Sequence, residues 1–232
     1  MATAYPYEEN TYTLYSNKIC PFAQRALRAF NIAKVPYKVI EIDLQNKPDW
    51  YHLVNPQLKV PALRIPDGTI LIESMVIAEY IADKYPESNL LPTNALERAQ
   101  LRLAIELFST HIIPHIYRTL MAAEKEEQKK EIDSLLAGLR EFSNELARQW
   151  ERPSGKNGPF WFGDQFGYVE VVTTSFAGLL LALAHYHGFS VPETDEYAGF
   201  HRWFKAVSTH PGFLEVKPDD EELKLAYKKY IK

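Results

Sequence analysis

The chain has 232 residues, of which 46% are apolar and 24% charged, and its formal net charge is -4. These proportions are typical of an ordinary globular protein that is long enough to bury a sizeable core, in one large domain or two small ones. Charges of both signs alternate without a Lys/Arg-rich run, so nucleic acid is excluded as an expected partner. The charged run 124–131 is balanced and predicts a solvated helix end or turn.

The chain contains a single cysteine, Cys20, which cannot form an internal disulfide. The first ten residues lack the charged and apolar regions of a secretion signal, which predicts a reducing, cytoplasmic location. The longest weakly polar stretch, 171–184, is too short to cross a bilayer and contains hydroxyl side chains. It therefore predicts a buried core helix and no membrane partner.

The first part of the chain alternates strand-like and helical patterns. The turn residues Pro66-Asp67-Gly68 predict a hairpin between the last two strands. Strands joined by a helix should be parallel, and hairpin strands antiparallel. The result is a mixed four-stranded sheet, which resembles the thioredoxin-like fold. The predicted elements are strands 12–15, 37–42, 62–65 and 69–72 and helices 21–33 and 74–85.

After Pro92 the pattern becomes wholly helical. Pro114 should kink the first of these helices because it lacks a backbone donor. We place a linker at about 85–93, which predicts an α/β domain over 1–88 and an all-α helical C-terminal domain over 94–232. The predicted helices are 95–123, 132–150, 168–185 and 197–208.

Cys20 follows the first strand and precedes Pro21, a residue well suited to a first helical position. The cysteine should therefore lie at the N-cap of the first helix, where free backbone donors and the helix dipole favour a thiolate. Lys18 and Arg25 are close in sequence and could add positive charge. A lowered thiol pKa would make the sulfur nucleophilic. Because no second cysteine can resolve a disulfide, the partner must be an external thiol, of which glutathione is the expected one.

A glutathione binder needs anion sites, a carboxylate for the ammonium group and an unpaired strand edge. Val60-Pro61 opens the third strand, where a cis proline would expose the backbone before it to an extended peptide. Ser74 at a helix start suits a carboxylate, and Glu73 can accept from an ammonium group. Lys47 and Lys59 could meet the second carboxylate.

Residues 15–25 (YSNKICPFAQR) resemble the active-site segment of omega-class glutathione transferases. The resemblance is strong over 11–92 and looser beyond. It implies the architecture of a cytosolic glutathione transferase. Further matching segments are 46–50 (NKPDW), Asn55-Pro56, Val60-Pro61, Glu73-Ser74, Glu79-Tyr80 and 106–109 (ELFS).

The resemblance implies that Cys20 is catalytic and that glutathione is the co-substrate, with no metal. A cysteine in this position implies thiol transfer and reduction rather than simple conjugation, and the family implies a homodimer. The residues expected to hold glutathione are Phe22, Lys47, Val60, Glu73 and Ser74, and Lys59 is added on its charge alone. Relatives usually begin the buried core helix with Ser/Thr-x-x-Asp, whereas here Gly167 and Glu170 stand at those positions and predict a weaker form of the same cap.

The second substrate, a hydrophobic or aromatic small molecule, should lie between the domains near Cys20. Phe108, His111, His115 and Arg118 share one helical face by spacing, and Phe176 and Leu179 lie on the buried helix. His111 and His115 also have the spacing of metal ligands, but no third ligand is evident and Pro114 disturbs that turn. We expect no metal.

Two other functions on the same fold stay open. The first is a ligandin that carries hydrophobic compounds with little turnover. The second is a protein resembling the chloride intracellular channels, which share a Cys-Pro-Phe segment. Glutathionyl-hydroquinone reductases also use a Cys-Pro motif but are longer chains, usually with Trp where Phe22 stands here.

Overall fold

The structure is a computed structural model that describes residues 4–231. The chain divides into two compact units between Leu91 and Pro92. The first unit contains a sheet and two α-helices, and the second is helical.

The sheet of the first unit has four strands in the order β2-β1-β3-β4. β1 runs parallel to β2, with Tyr12 opposite Tyr37, and antiparallel to β3, which pairs antiparallel with β4. All five residues of β1 are buried, as expected for an inner strand. The predicted mixed four-stranded sheet is confirmed. The strands are β1 (Tyr12–Ser16), β2 (Tyr37–Glu41), β3 (Ala62–Arg64) and β4 (Ile70–Ile72).

Two helices pack against this sheet, α1 (Pro21–Ala33) and α2 (Ser74–Lys84). α1 begins with Pro21 in its first turn and ends at Lys34, whose left-handed backbone (φ 54°) lets its N–H reach the carbonyl of Asn31. The predicted β3–β4 turn is present. Gly68 has φ 95° and donates to the carbonyl of Ile65 at 3.0 Å.

The second unit consists of helices joined by short loops. Three- to five-residue 3₁₀ helices lie between or beside the α-helices in both units. The α-helices are α3 (Ala95–His111), α4 (Ile113–Met121), α5 (Lys125–Glu151), α6 (Tyr168–Ala177), α7 (Leu180–His187), α8 (Ala198–Val207), α9 (Pro211–Leu214) and α10 (Asp220–Tyr227).

The helix boundaries differ from the predicted ones in three places. The kink expected at Pro114 is a break at Ile112, after which α4 starts with Pro114 in its first turn, because proline can open a helix but not continue one. α5 starts at Lys125 rather than at 132, so the charged run forms its first two turns. The helix predicted over 168–185 is interrupted at Gly178 and Leu179.

The buried core segment is longer than the predicted stretch 171–184. α6 and α7 together span Tyr168–His187, and this 20-residue segment is long and apolar enough to cross a membrane. The predicted stretch therefore underestimates the length of the apolar segment, and the prediction that this segment is too short to cross a bilayer is wrong. Of its most apolar 18 residues, 83% are buried within the structure, as in the core helix of a globular protein.

Glu170 anchors the start of α6. Its carboxylate accepts from the N–H of Gly167 at 3.0 Å, which caps the helix as predicted. It also accepts from the Trp161 N–H at 2.9 Å and from the Trp203 indole N–H at 3.0 Å. This fully buried carboxylate thus joins the segment before α6 to α8.

Candidate active site

Cys20 is the N-cap residue of α1. Its backbone is extended (φ -73°, ψ 116°), and its carbonyl accepts the first helical hydrogen bond from Gln24 at 3.1 Å. The cysteine is half-buried, and no acidic residue lies in the first turn of α1. The Cys20 side chain is therefore attached at the N-terminal end of the helix, which carries a partial positive charge.

Side chains fix the loop that delivers Cys20. The Asn17 amide donates to the carbonyl of Ile42 at 3.0 Å, and its oxygen accepts from the Ile19 N–H at 3.1 Å. The Lys18 N–H donates to Glu41, and the Gln24 amide donates back to the Lys18 carbonyl. The loop is thereby tied both to β2 and to the first turn of α1.

Cys20 packs against a buried cluster that includes Val60, so the structure brings these two predicted site residues to one place. Burial, then the nearby Tyr15 and Cys20, raise the pKa of Tyr51 above its ordinary value. Tyr51 therefore stays protonated and can donate. The cluster consists of Tyr15, Ala23, Ile42, Tyr51, Val54, Val60 and Ala62.

The backbone before Val60 is held by two side-chain donors on one carbonyl. The Lys59 carbonyl accepts from the Tyr51 hydroxyl at 2.8 Å and from the Asn55 amide at 2.7 Å. The Val60-Pro61 peptide bond is cis, as the sequence predicts. Within residues 4–231, the backbone N–H and C=O of Val60 make no hydrogen bond. Both groups can therefore pair with an extended ligand.

Glu73 and Ser74 lie where β4 passes into α2. Glu73 has φ 70° and ψ 117°, a backbone conformation that costs a non-glycine residue free energy and that concentrates at functional sites. Its side chain is exposed. Ser74, the first residue of α2, is buried, and its hydroxyl accepts from the Arg25 guanidinium at 3.3 Å.

The remaining predicted glutathione residues lie closer to the surface. Phe22 is 40% exposed, and the guanidinium of Arg25 lies over its ring at 5.4 Å. The half-buried Lys47 donates from its ammonium group to the Leu44 carbonyl at 3.2 Å. Lys59 is exposed.

The predicted acceptor residues do not form one surface. Phe108 is fully buried and stacks edge-to-face on Phe142, with ring centroids 5.1 Å apart. Phe176 and Leu179 are buried as well. Phe108 does not line the groove in which His111 and His115 meet, and the helix breaks at Ile112 between the two histidines.

His111 and His115 do come together, in a groove of about 490 Å³ that α5 helps to form. His111 Nδ1 lies 2.7 Å from Glu141, and His115 Nδ1 lies 2.6 Å from Glu131. The structure of residues 4–231 contains no group of three His, Cys, Asp or Glu side chains arranged for a metal ion.

Two family profiles match the chain, the glutathione S-transferase N-terminal domain over residues 14–89 and the C-terminal domain over 119–206. The probable glutathione transferase omega-2 of Caenorhabditis elegans is 30% identical over 227 residues, 97% of this chain and 88% of its own length. The chain belongs to the omega-like glutathione S-transferases.

Further comparisons agree with this omega-like family. The glutathione S-transferase omega-1 of Rattus norvegicus is 30% identical over 71% of this chain, and the match spans 65% of the rat protein's length. Glutathione transferase Omega 1C of Trametes versicolor superposes with a TM-score of 0.78 at 26% identity, over 95% of this chain and 96% of its own. The family implies glutathione as a substrate.

The sequence does not predict which side chains hold the backbone before Val60 and the Ser74 hydroxyl in place. Tyr51 and Asn55 hold the Lys59 carbonyl, and Arg25 reaches Ser74 across 49 positions. The sequence marks Asn55 and Arg25 only as members of matching segments, and Arg25 also as a nearby positive charge. No local pattern indicates which distant backbone or hydroxyl group a tyrosine, asparagine or arginine will contact.

Proposed function

We propose that this chain moves glutathionyl groups on and off other molecules through a mixed disulfide on Cys20. The observation that carries the proposal is the position of a half-buried cysteine at the N-cap of α1. At this position the helix dipole and the N–H groups of the first turn are expected to lower the pKa of the thiol.

The proposed reaction has two displacements. The Cys20 thiolate attacks the glutathionyl sulfur of a mixed disulfide, forms a Cys20–glutathione disulfide and releases the other thiol as a thiolate. The thiolate of free glutathione then attacks the glutathionyl sulfur, restores Cys20 and leaves as glutathione disulfide. The net result is reduction of the mixed disulfide to the free thiol by one molecule of glutathione, which ends joined to the removed glutathionyl group as glutathione disulfide. Dehydroascorbate and glutathionyl aryl ketones are proposed as further substrates of the same site.

We propose that glutathione binds next to Cys20, with one contact set for each of its three residues. The unpaired backbone of Val60 would pair with the cysteinyl residue, as in strand addition. Ser74 and the N-terminus of α2 would take the γ-glutamyl carboxylate, and Glu73 its ammonium group. Lys47 and Lys59 would attract the glycyl carboxylate, with Phe22 beside the thiol.

Intact mass spectrometry after incubation with glutathione disulfide tests the proposal. The wild-type chain should gain the mass of one glutathionyl group, which a reductant removes. Cys20→Ser should gain nothing and should lose thioltransfer activity, because the chain has no other cysteine. Thermal unfolding of both proteins controls for folding.

A wild-type chain that forms no adduct, or a Cys20→Ser variant with full thioltransfer activity, would refute the mechanism. Tight binding of aromatic compounds without an adduct would favour the ligandin function instead. A homodimer, a cytoplasmic location and a hydrophobic acceptor stay predictions. Light scattering of the purified protein tests the first of them.

A further inference from the structure

Arg25 is a buried arginine that connects the cysteine helix to the start of α2. It lies on α1 five residues after Cys20 and is only 4% exposed. Its Nη1 donates to Ser74 Oγ at 3.3 Å. Burying a guanidinium costs free energy unless charged or polar partners compensate it, and the Ser74 hydroxyl is one such partner.

The bond from Arg25 determines what the Ser74 hydroxyl can do. A hydroxyl has one donor hydrogen and can accept at its oxygen. Because the guanidinium occupies the oxygen as a donor, the hydroxyl hydrogen turns away from Arg25 and is available to an acceptor. Ser74 is also the first residue of α2, where the helix dipole favours an anion.

The same contact brings positive charge close to that acceptor. A carboxylate oxygen hydrogen-bonded to Ser74 Oγ would lie within roughly 6 Å of the guanidinium. This separation is shorter than the screening length at physiological salt. Glu73, which precedes Ser74, is exposed and carries the opposite charge. The junction therefore presents a positive and a negative group to adjacent parts of one ligand.

We propose that Arg25 is a positioning residue that orients the Ser74 hydroxyl and makes this end of the site select ligands with a free α-amino-acid group. Such a group carries a carboxylate and an ammonium on one carbon, like the γ-glutamyl end of glutathione. The inference rests on the proposed binding of glutathione at Ser74. It adds that discrimination at this end depends on a buried residue that does not touch the ligand.

Equilibrium binding of two ligands tests this role. Calorimetry would compare reduced glutathione with 4-aminobutyryl-cysteinylglycine, which lacks only the γ-glutamyl α-carboxylate. Wild type should prefer glutathione about tenfold or more, the ratio that one charge-assisted contact gives. Arg25→Met should lose most of this preference and keep the part that the N-terminus of α2 supplies, and Arg25→Lys should keep more of it because it keeps the charge.

Arg28 offers a matched control on the same helix. It is also fully buried, but its guanidinium donates to the Gln24 side chain at 3.4 and 3.5 Å. Arg28→Met should lower stability and leave the preference between the two ligands unchanged. An Arg25→Met variant that weakens both ligands by the same factor would overturn the inference, because that result reports only structural damage.

If Arg25→Met does not fold, a cycle of Arg25→Lys with Ser74→Ala decides. Because Arg25 acts through Ser74, the double variant should lose no more of the preference than Ser74→Ala alone. Additive losses would overturn the inference. These readouts do not depend on the Cys20 reaction, so failure of the disulfide mechanism appears separately, as a missing mass adduct.

Discussion

At the scale of single residues, the junction of β4 and α2 combines strain with exposure. Glu73 has a φ of 70° although its side chain is exposed and no packing requires a glutamate there. A conformation of this kind costs about 1–3 kcal/mol and persists where function requires it. The strained residue lies between β4 and the first N–H groups of α2, at the place where we propose that a ligand binds.

Replacing Glu73 should separate stability from binding. Glu73→Gly should raise the free energy of unfolding by about 1 kcal/mol, since glycine adopts positive φ without a Cβ clash and part of the gain is lost to chain entropy. It should also weaken glutathione binding because the carboxylate is gone. Chemical denaturation and calorimetry measure the two effects.

Glu73→Gln is the matched variant because it removes the charge and keeps the strain. It should weaken binding without a gain in stability. If Glu73→Gly proves less stable than Glu73→Gln, the strain is absent.

At the same scale, the local positions of residues beside a proline could be predicted from the sequence. Contacts between residues that are far apart in the chain could not. Cys20 is marked by the strand before it and by Pro21 after it, and Val60 by the cis proline. Tyr51 and Arg25 act through a hydroxyl and a guanidinium whose partners lie 8 and 49 positions away. Folding brings those partners together, and no spacing in the chain records it.

At the scale of elements, α3 and α5 approach each other closely through Gly138. A Cβ added at this position would lie 2.3 Å from the His111 carbonyl oxygen, the last residue of α3. That distance is far below a van der Waals contact, and backbone atoms must move to relieve it. The glycine therefore sets the separation of the two helices and the depth of the groove beside His111.

Gly138→Ala should destabilise the protein by about 2 kcal/mol, the usual cost of overpacking. Helix propensity alone predicts the opposite sign, a gain of about 1 kcal/mol. Ser134→Ala, one turn earlier on α5 and half-exposed, serves as the control and should be neutral or slightly stabilising. A Gly138→Ala chain at least as stable as wild type in urea would contradict the close approach.

Element boundaries could be predicted where a residue type enforces them. α1 begins at Pro21 and the hairpin turns at Gly68, as the sequence predicts. The starts of α4 and α5 could not be placed, because a charged run can form either a loop or a first helical turn and because Pro114 can kink a helix or begin one. α9 and α10 were not predicted, since each is shorter than the window in which periodicity can be recognised.

At the scale of the whole molecule, the order of strands and helices determined the fold class, because few topologies satisfy right-handed, short connections.

The stability of the helical unit depends in part on one buried acid. Glu170 binds three N–H donors from separate segments and is fully buried. Burial raises the pKa of Glu170 to about 7, against the lowering effect of those donors.

This raised pKa predicts a pH dependence of stability. Because the folded chain holds the proton more tightly than the unfolded chain, the stabilisation is complete below the unfolded pKa of 4.5 and is lost as the pH rises through 7. The free energy of unfolding should fall by about 3 kcal/mol over this range. Urea denaturation of wild type and Glu170→Gln at several pH values measures it.

Glu170→Gln should show no such slope, so the difference between the two proteins isolates this carboxyl from other titrating groups. A constant difference between pH 4.5 and pH 8 would show that the three donors outweigh burial and keep the group ionised throughout.

The two hydrogen bonds accepted by the Lys59 carbonyl affect the free energy of ligand binding. Tyr51 and Asn55 fix the peptide ahead of Val60 without help from any bound molecule. An incoming tripeptide then meets a rigid template and loses mainly its own freedom, so little of the association free energy is spent on ordering the protein. The bound and empty backbones should nearly superimpose, while the amide of Val60, unpaired within residues 4–231 of the empty protein, should exchange its hydrogen quickly there and slowly once a ligand pairs with it.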